Sequence, residues 1–485
     1  MRLPHPLLVP LALLAACGSS RAPLPLPASA LSPVPPLPSP PPREARVPEL
    51  TLPPIHAFTL DNGVSVQIAE RHGAPVVYAA LVGRAPHTAG SGAPVALDAL
   101  LEHALGAELP SGIDDLDDGG YLSTRVNERG VMLVSRSVSD SLPGVLRRFA
   151  RVAEGRVFED GEVDRAKHAL MVHARYRQRL RRRRRYPESG EELLTRLYGE
   201  DDPRVVRARV RPTTLARLQT SDVLRRLAQL LPPSKTALII VGDVDPARTE
   251  ALVRERLGPA TLRVAPTPAT RSAPPVFPEP TPRLMIFPTG DEPIASTRLI
   301  ERGPPRHHDD HAAFRLYVRL AGGMFSSRLN LRLREQRGDT YGVMSRVIDR
   351  ADHSLFEISV VVPVQAVGDA AASIVGELSR LCDASQITSE EMSLARTVEL
   401  ARLSASLDTA AGLGSALVGA HLAGEPPESI LQTYRRVEHV TPADVAEVGR
   451  RWVRPEHAPM VVVGDWRWLI SHPVRVPGGV AFITH

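Results

Sequence analysis

The sequence predicts an α+β protein made of two tandem domains of one fold, each a mostly antiparallel sheet with helices packed on it. Three observations carry this. The chain has 485 residues, too many for one core and enough for two. Two distant segments look alike: Thr220 to Val244, TSDVLRRLAQLLPPSKTALIIVGDV, and Pro442 to Trp466, PADVAEVGRRWVRPEHAPMVVVGDW. Each reads as a capped helix, a Pro-containing turn and a buried strand ending Val-Gly-Asp. The spacing also repeats: Asp222 to Gly242 and Asp444 to Gly464 are both 20 residues, the copies are offset by 222, and the strand starts Pro75 and Pro293 are offset by 218.

The N-terminus is a separate matter. MRLPHPLLVPLALLAAC has one early Arg and then roughly a dozen mostly apolar residues, the length of a signal peptide and too short to span a membrane. Leu14-Ala15-Ala16-Cys17 resembles a bacterial lipobox, so residues 1–17 are expected to be a lipoprotein signal, with Cys17 as the lipidated terminus. An ordinary secretory signal is the alternative. The Pro-, Ala- and Ser-rich stretch 18–54 cannot build a core and reads as an extended tether. The location this implies is the bacterial cell envelope, lipid-anchored and facing the periplasm. The absence of Asp after Cys17 leans toward the outer membrane. No later stretch is long and apolar enough for a membrane-spanning helix.

The body opens at 55–264, the expected first domain. FTLDNGVSVQIAE, from Phe58, alternates on both sides of Asp61-Asn62-Gly63 and reads as a hairpin. PVVYAALV from Pro75 is a strand, and a helix runs from about Pro94 to Gly106. Tyr121 to Val138 is a second hairpin, and helical stretches fill about Asp140 to Leu197. The Pro-rich stretch 265–282 is the expected linker, and 283–485 the second domain.

Composition removes several classes of function. With two cysteines, Cys17 and Cys382, neither a disulfide scaffold nor a four-Cys metal site is available, and Cys382 reads as a buried, inert thiol. Net charge is only +5. The run Arg181 to Arg185 lacks Gly-aromatic interleaving, so it reads as a solvated helix face rather than a nucleic-acid site. Arg306 to Phe314, RHHDDHAAF, looks like a metal cluster but also reads as a loop in which Asp309 or Asp310 caps the next helix. Leu320 to Ser327, LAGGMFSS, lacks the Gly-Lys-Ser/Thr ending of a phosphate loop.

DALLEHALGA, Asp98 to Ala107, places Glu102 and His103 on the first helix. Together with the FTLDNGVSVQIAE hairpin, the VGDV strand and Leu320 to Val343, LAGGMFSSRLNLRLREQRGDTYGV, it resembles the insulinase/pitrilysin family of zinc peptidases. The resemblance is to the short two-domain form related to the mitochondrial processing peptidase, and it covers roughly Phe58 to Asp465. It implies an inverted H-x-x-E-H helix with two His ligands and a Glu base, and a third ligand from a later helix. Glu102 matches the base and His103 the second ligand. Ala99 stands where the first His belongs, and His173 where the third ligand, a Glu, belongs. A site made from His103, His173 and a carboxylate such as Asp98 is conceivable, but Asp98 points about 100° away from Ala99 on the helix.

The resemblance also implies that Arg334 and Tyr341, seven apart, bind the substrate or its transition state. It makes Tyr121 to Val126 the strand on which an extended peptide would pair, and the Gly-rich segment at 320–327 a flexible loop near the chamber. The expectation is a lipid-anchored, non-catalytic subunit that binds peptide and complements a zinc-bearing insulinase-like chain as a heterodimer, or self-associates. No cofactor is expected, unless the degenerate site still takes zinc. The alternatives are an active zinc peptidase with rearranged ligands and a non-enzymatic envelope scaffold.

Overall fold

The computed structural model describes residues 50–84, 92–108, 121–158, 161–182, 195, 198–199, 205, 210–262, 284–289, 292–350, 353–455, 458–472 and 480–482. The expected signal 1–17 with Cys17, residues 18–49 of the expected tether 18–54, the expected linker 265–282 and Arg183 to Arg185 lie outside these residues. So do the side chains of Tyr121, Arg181 and Arg182.

Each half supplies one six-stranded sheet. The first contains β1 (Ile55–Thr59), β2 (Ser65–Glu70), β3 (Val76–Arg84), β4 (Tyr121–Asn127), β5 (Gly130–Val138) and β6 (Thr236–Gly242), in the order β1-β2-β6-β3-β5-β4. The second contains β7 (Leu284–Thr289), β8 (Ile294–Gly303), β9 (Val343–Asp349), β10 (Ser354–Pro363), β11 (Met460–Asp465) and β12 (Val480–Phe482), in the order β12-β7-β11-β8-β10-β9. β3 and β8 hold the same place in their sheets, and their starts differ by the offset of 218. The β2–β6, β7–β11 and β7–β12 pairs are parallel and the others antiparallel. The α+β class and the mostly antiparallel sheets follow the sequence reading.

The longer helices are α1 (Gly92–Glu108), α2 (Leu142–Ala153), α3 (Glu162–Arg182), α4 (Thr220–Leu230) and α5 (Pro246–Arg256) in the first half. In the second half they are α6 (His311–Val318), α7 (Val367–Arg380), α8 (Ser389–Leu407), α9 (Ala410–Ala423), α10 (Ser429–His439) and α11 (Pro442–Val448). The repeated segments fold as the pattern demands. Asp222 and Asp444 occupy the third position of α4 and α11, and each closes a capping box, with Gln219 and Thr441. Gly242, at φ +153°, ends β6 so close to β3 that a Cβ would lie 2.3 Å from the Val76 carbonyl oxygen. Gly464 meets the same crowding from Ala295. This explains why both copies read Val-Gly-Asp.

Both faces of β3 and β6, the central strands of the first sheet, are buried. On β3, Val77, Ala79 and Leu81 pack with the core that includes α1, α2 and α4, while Tyr78, Ala80 and Val82 face the other way. The cover on that second face comes from the other half of the chain: Leu413, Leu417 and Val418 of α9, with Leu407 and Ile430. Gly414 lets α9 approach, since a Cβ there would sit 2.2 Å from the Tyr78 ring. The exchange is reciprocal. Tyr198 and Val205, from the first half, bury against Met285, Phe287, Leu355 and Val461 of the second sheet. Tyr198 Oη also lies 2.8 Å from His353 Nε2. Burying each large aliphatic side chain contributes about 1.5–3 kcal/mol, so the exchanged covers bind the two halves strongly.

Two local expectations are corrected. Asp310 sits at the N-terminus of α6, but its carboxylate accepts from Trp452 Nε1 at 2.7 Å and from Arg451 at 2.9 Å instead of capping the helix. The segment expected as a flexible loop begins as a wide helical turn, Arg319–Gly323, with Gly322 packed on Ser345 and Val343. Cys382 is half-buried. Burial pushes its thiol up, which keeps it a poor nucleophile.

Candidate functional site

α1 forms because Ala96, Leu100, Leu101, Ala104 and Leu105 fall at helical spacing and fill the core beneath the first sheet. This face fixes the rotation of the helix. It leaves Ala99, Glu102 and His103 half-buried along its flank.

Two polar residues of α1, Asp98 and Glu102, then find partners. Asp98, one position before Ala99, is buried and bidentate to Arg226 of α4, at 2.6 Å to Nε and 3.1 Å to Nη2. That ion pair takes Asp98 out of any metal site. Glu102 Oε2 accepts from the backbone N–H of Val126 at 2.9 Å. Val126 lies on β4, the edge of the sheet, so Glu102 serves a strand edge.

His103 packs against α3, and there the fold does bring two predicted residues together. Burial lowers the His103 pKa, the charge of His173 lowers it further, and Glu102 opposes both. His173 itself is exposed on α3. A catalytic zinc site takes three converging protein ligands. Here Ala99 offers no donor, Asp98 belongs to Arg226, and two imidazoles remain. Among the described residues, no group of three or more His, Cys, Asp or Glu side chains converges to hold a metal ion. The donor set does not fit zinc. RHHDDHAAF is likewise dispersed: Asp309 pairs with Arg436 at 3.1 Å, and the buried His311 with Asp349 at 3.0 Å.

The second candidate pair lies in the other half. Arg334 belongs to a wide helical turn, Leu331–Gln336, and Tyr341 to the turn before β9. Asn330 fastens this segment. Its Nδ2 donates to the carbonyls of Met324 and Val343 at 3.0 and 3.1 Å, and its Oδ1 accepts from Val343 N at 2.7 Å. Tyr341 is fully exposed. The Arg334 guanidinium stacks 4.0 Å above the ring of Phe325, which is itself two-thirds exposed, and its Nε lies 3.4 Å from Glu335. Phe325 escaped the sequence reading. Its signal was an aromatic residue placed directly after the Gly-rich turn. Chemically, this surface offers a held guanidinium, a free phenol and an aromatic face. That is a binding set for peptide carbonyls or carboxylates.

Residues 218–398 match the family described as the peptidase M16 inactive domain. Solved structures share the fold across most of the chain. One is a protease from Helicobacter pylori (TM-score 0.69, 14% identity, 85% of this chain and 100% of that one). Another is a peptidase M16 inactive domain from Pseudomonas fluorescens (TM-score 0.65, 19% identity, 85% and 98%). A third is the periplasmic protease PqqL from Escherichia coli (TM-score 0.62, 15% identity, 84% of this chain and 45% of that one). No curated protein sequence matches. Residues 218–398 are therefore similar to a peptidase M16 inactive domain, and most of the chain shares its fold with a solved structure of that kind.

Proposed function

We propose that this chain is a lipid-anchored, non-catalytic subunit of the cell envelope that binds peptide and completes the active site of a zinc-bearing M16-type partner. The observation that carries this reading is the contrast between the two candidate sites. On the first-half helix, Ala99 and the Asp98–Arg226 pair leave no zinc-ligand set. On the second-half turn, Arg334 and Tyr341 are presented to solvent and Arg334 is braced by Phe325. The edge position of β4 supports pairing with an extended peptide. The periplasmic relative supports an envelope setting, and among the described residues no helix is long and apolar enough to cross a membrane. Cys17 is the proposed anchor.

The test is peptidase activity of the chain alone, of a zinc-bearing partner alone, and of the mixture. The mixture should exceed the sum of its parts, and Arg334→Ala should remove most of the excess. A mixture indifferent to Arg334→Ala would sink the reading. A second reading, a zinc peptidase with rearranged ligands, would have to hold its metal through His103 and His173, which act on each other electrostatically. Chelator-sensitive activity of the lone chain, lost in His103→Ala, would establish it.

A further inference from the structure

A cavity of about 170 Å³ lies in the second half between α8, α10 and the end of β9, far in sequence from α1. One wall is aliphatic, made by Leu403, Leu407, Ala416 and Ile430. The other is ionic, with three guanidiniums, Arg306, Arg315 and Arg402, beside Asp349 and its partner His311.

The charges on that wall are unequally matched. Glu399, buried at 1% side-chain exposure, lies behind it and is shared three ways. Arg315 Nε reaches it at 2.7 Å, Arg319 Nε at 2.6 Å and Arg402 Nη2 at 2.9 Å. Arg306 reaches Glu425 at a loose 3.7 Å and also acts on Asp349 through its charge. Asp349 is engaged by His311 at 3.0 Å. Arg129, from the β4–β5 turn, adds a further cation that feels Asp349 and Arg306, and it donates to the Gly419 carbonyl at 3.2 Å. Five guanidiniums, Arg129, Arg306, Arg315, Arg319 and Arg402, thus share four carboxylates, Glu128, Asp349, Glu399 and Glu425, around one cavity. Arg315 and Arg306 are mostly withdrawn from water, at 14% and 23% side-chain exposure, while Arg402 stands at the mouth at 43%; cations so placed gain from an anion that joins them.

We propose that this cavity binds a carboxylate carrying a single aliphatic side chain. The carboxylate lies against Arg306 and Arg402, and the hydrocarbon against Leu403 and Ile430. This chemistry is shared by a short branched fatty acid and by the C-terminal residue of a peptide ending in Leu or Val. An inorganic anion would satisfy the cations and leave the aliphatic wall unused. A neutral hydrocarbon would leave the surplus charge. The site is separate from Arg334 and Tyr341 and does not depend on the function proposed for them.

The experiment is calorimetric titration of the full chain with four probes: N-acetyl-Gly-Leu as the free acid, the same peptide as its C-terminal amide, isovalerate, and inorganic phosphate. The free acid should saturate one site, and the amide should bind at least about tenfold more weakly, the worth of one charge-assisted contact. Arg306→Gln and Leu403→Asn, on opposite walls, should each weaken the acid by about tenfold while circular dichroism stays unchanged. Isovalerate matching the peptide acid would point to a free acid as ligand, and weak isovalerate to a peptide end; either supports the site. Equal binding of acid and amide overturns the proposal. So does phosphate binding as tightly as the acid, or no saturation by any probe.

Discussion

Glu102 Oε2 accepts a hydrogen bond from the Val126 amide at 2.9 Å, tying the helix that resembles a zinc helix to the edge strand of its own sheet. A carboxylate so employed is a strut. Glu102→Gln retains an oxygen acceptor and should change stability little. Glu102→Ala strands the Val126 N–H and should cost about 1–3 kcal/mol. Urea unfolding of both variants checks this. Equal, negligible losses would mean that the bond contributes nothing.

The Asp98–Arg226 pair is nearly as buried as the hydrophobic core around it. Removing one partner leaves an uncompensated charge, so Asp98→Ala or Arg226→Ala should cost about 3–5 kcal/mol. The double substitution to leucine should recover most of that loss. A double-mutant cycle by chemical denaturation measures the coupling. If the losses simply add, the pair is not an energetic unit.

Asp349 carries a pH signature. Burial disfavours its charged form, but the hydrogen bond from His311 and the charges of His311, Arg315 and Arg306 outweigh that and hold its pKa at about 2. The folded value lies below the unfolded one, near 3.8. The stabilisation is therefore fully present above about pH 4 and is lost as pH falls through about 2. It amounts to about 2 kcal/mol. Asp349→Asn should flatten the stability curve between pH 5 and 2, read by urea midpoints. A parallel curve for the variant would remove Asp349 from the acid response.

The exchanged covers predict how the chain can be cut. Residues 55–264 alone would expose Tyr78, Ala80, Val82, Ile239 and Val241, which α9 covers in the whole chain. Each half expressed alone should be insoluble or loosely packed, and co-expression should restore a folded complex. Leu413→Ala, at the centre of that cover, should cost about 2–5 kcal/mol. It should lower a single unfolding transition rather than split it in two. Soluble, cooperatively folding halves would show the exchange to be dispensable.

Much of this architecture was legible because it rests on local pattern. The Asp at the third position of α4 and α11, the crowded Gly242 and Gly464, and the alternation of β3 all leave marks in one dimension. The failure of the zinc site was legible at Ala99. The fates of its neighbours were not. Nothing near Asp98 in sequence announces Arg226, 128 residues away, and the Glu102–Val126 bond depends on which strand becomes the edge. Likewise, the hydrophobic α9 reads as an ordinary core helix. Its core lies on the other sheet, a long-range choice that periodicity cannot encode. The role of Asp310 was misread because Trp452 and Arg451 compete for the carboxylate that would otherwise cap α6.

Because each half wears a cover cut from the other, order of synthesis matters. A ribosome delivers the first sheet complete by Gly242, yet the helix that covers its outer face ends at Ala423. For that whole interval the nascent chain holds an apolar face with nothing to lie on it. Its final closure joins segments hundreds of residues apart, a slow topology for a chain to reach. The molecule is therefore suited to folding after its last helices have been made, and an insertion that delays α9 would be felt first in the sheet made long before it.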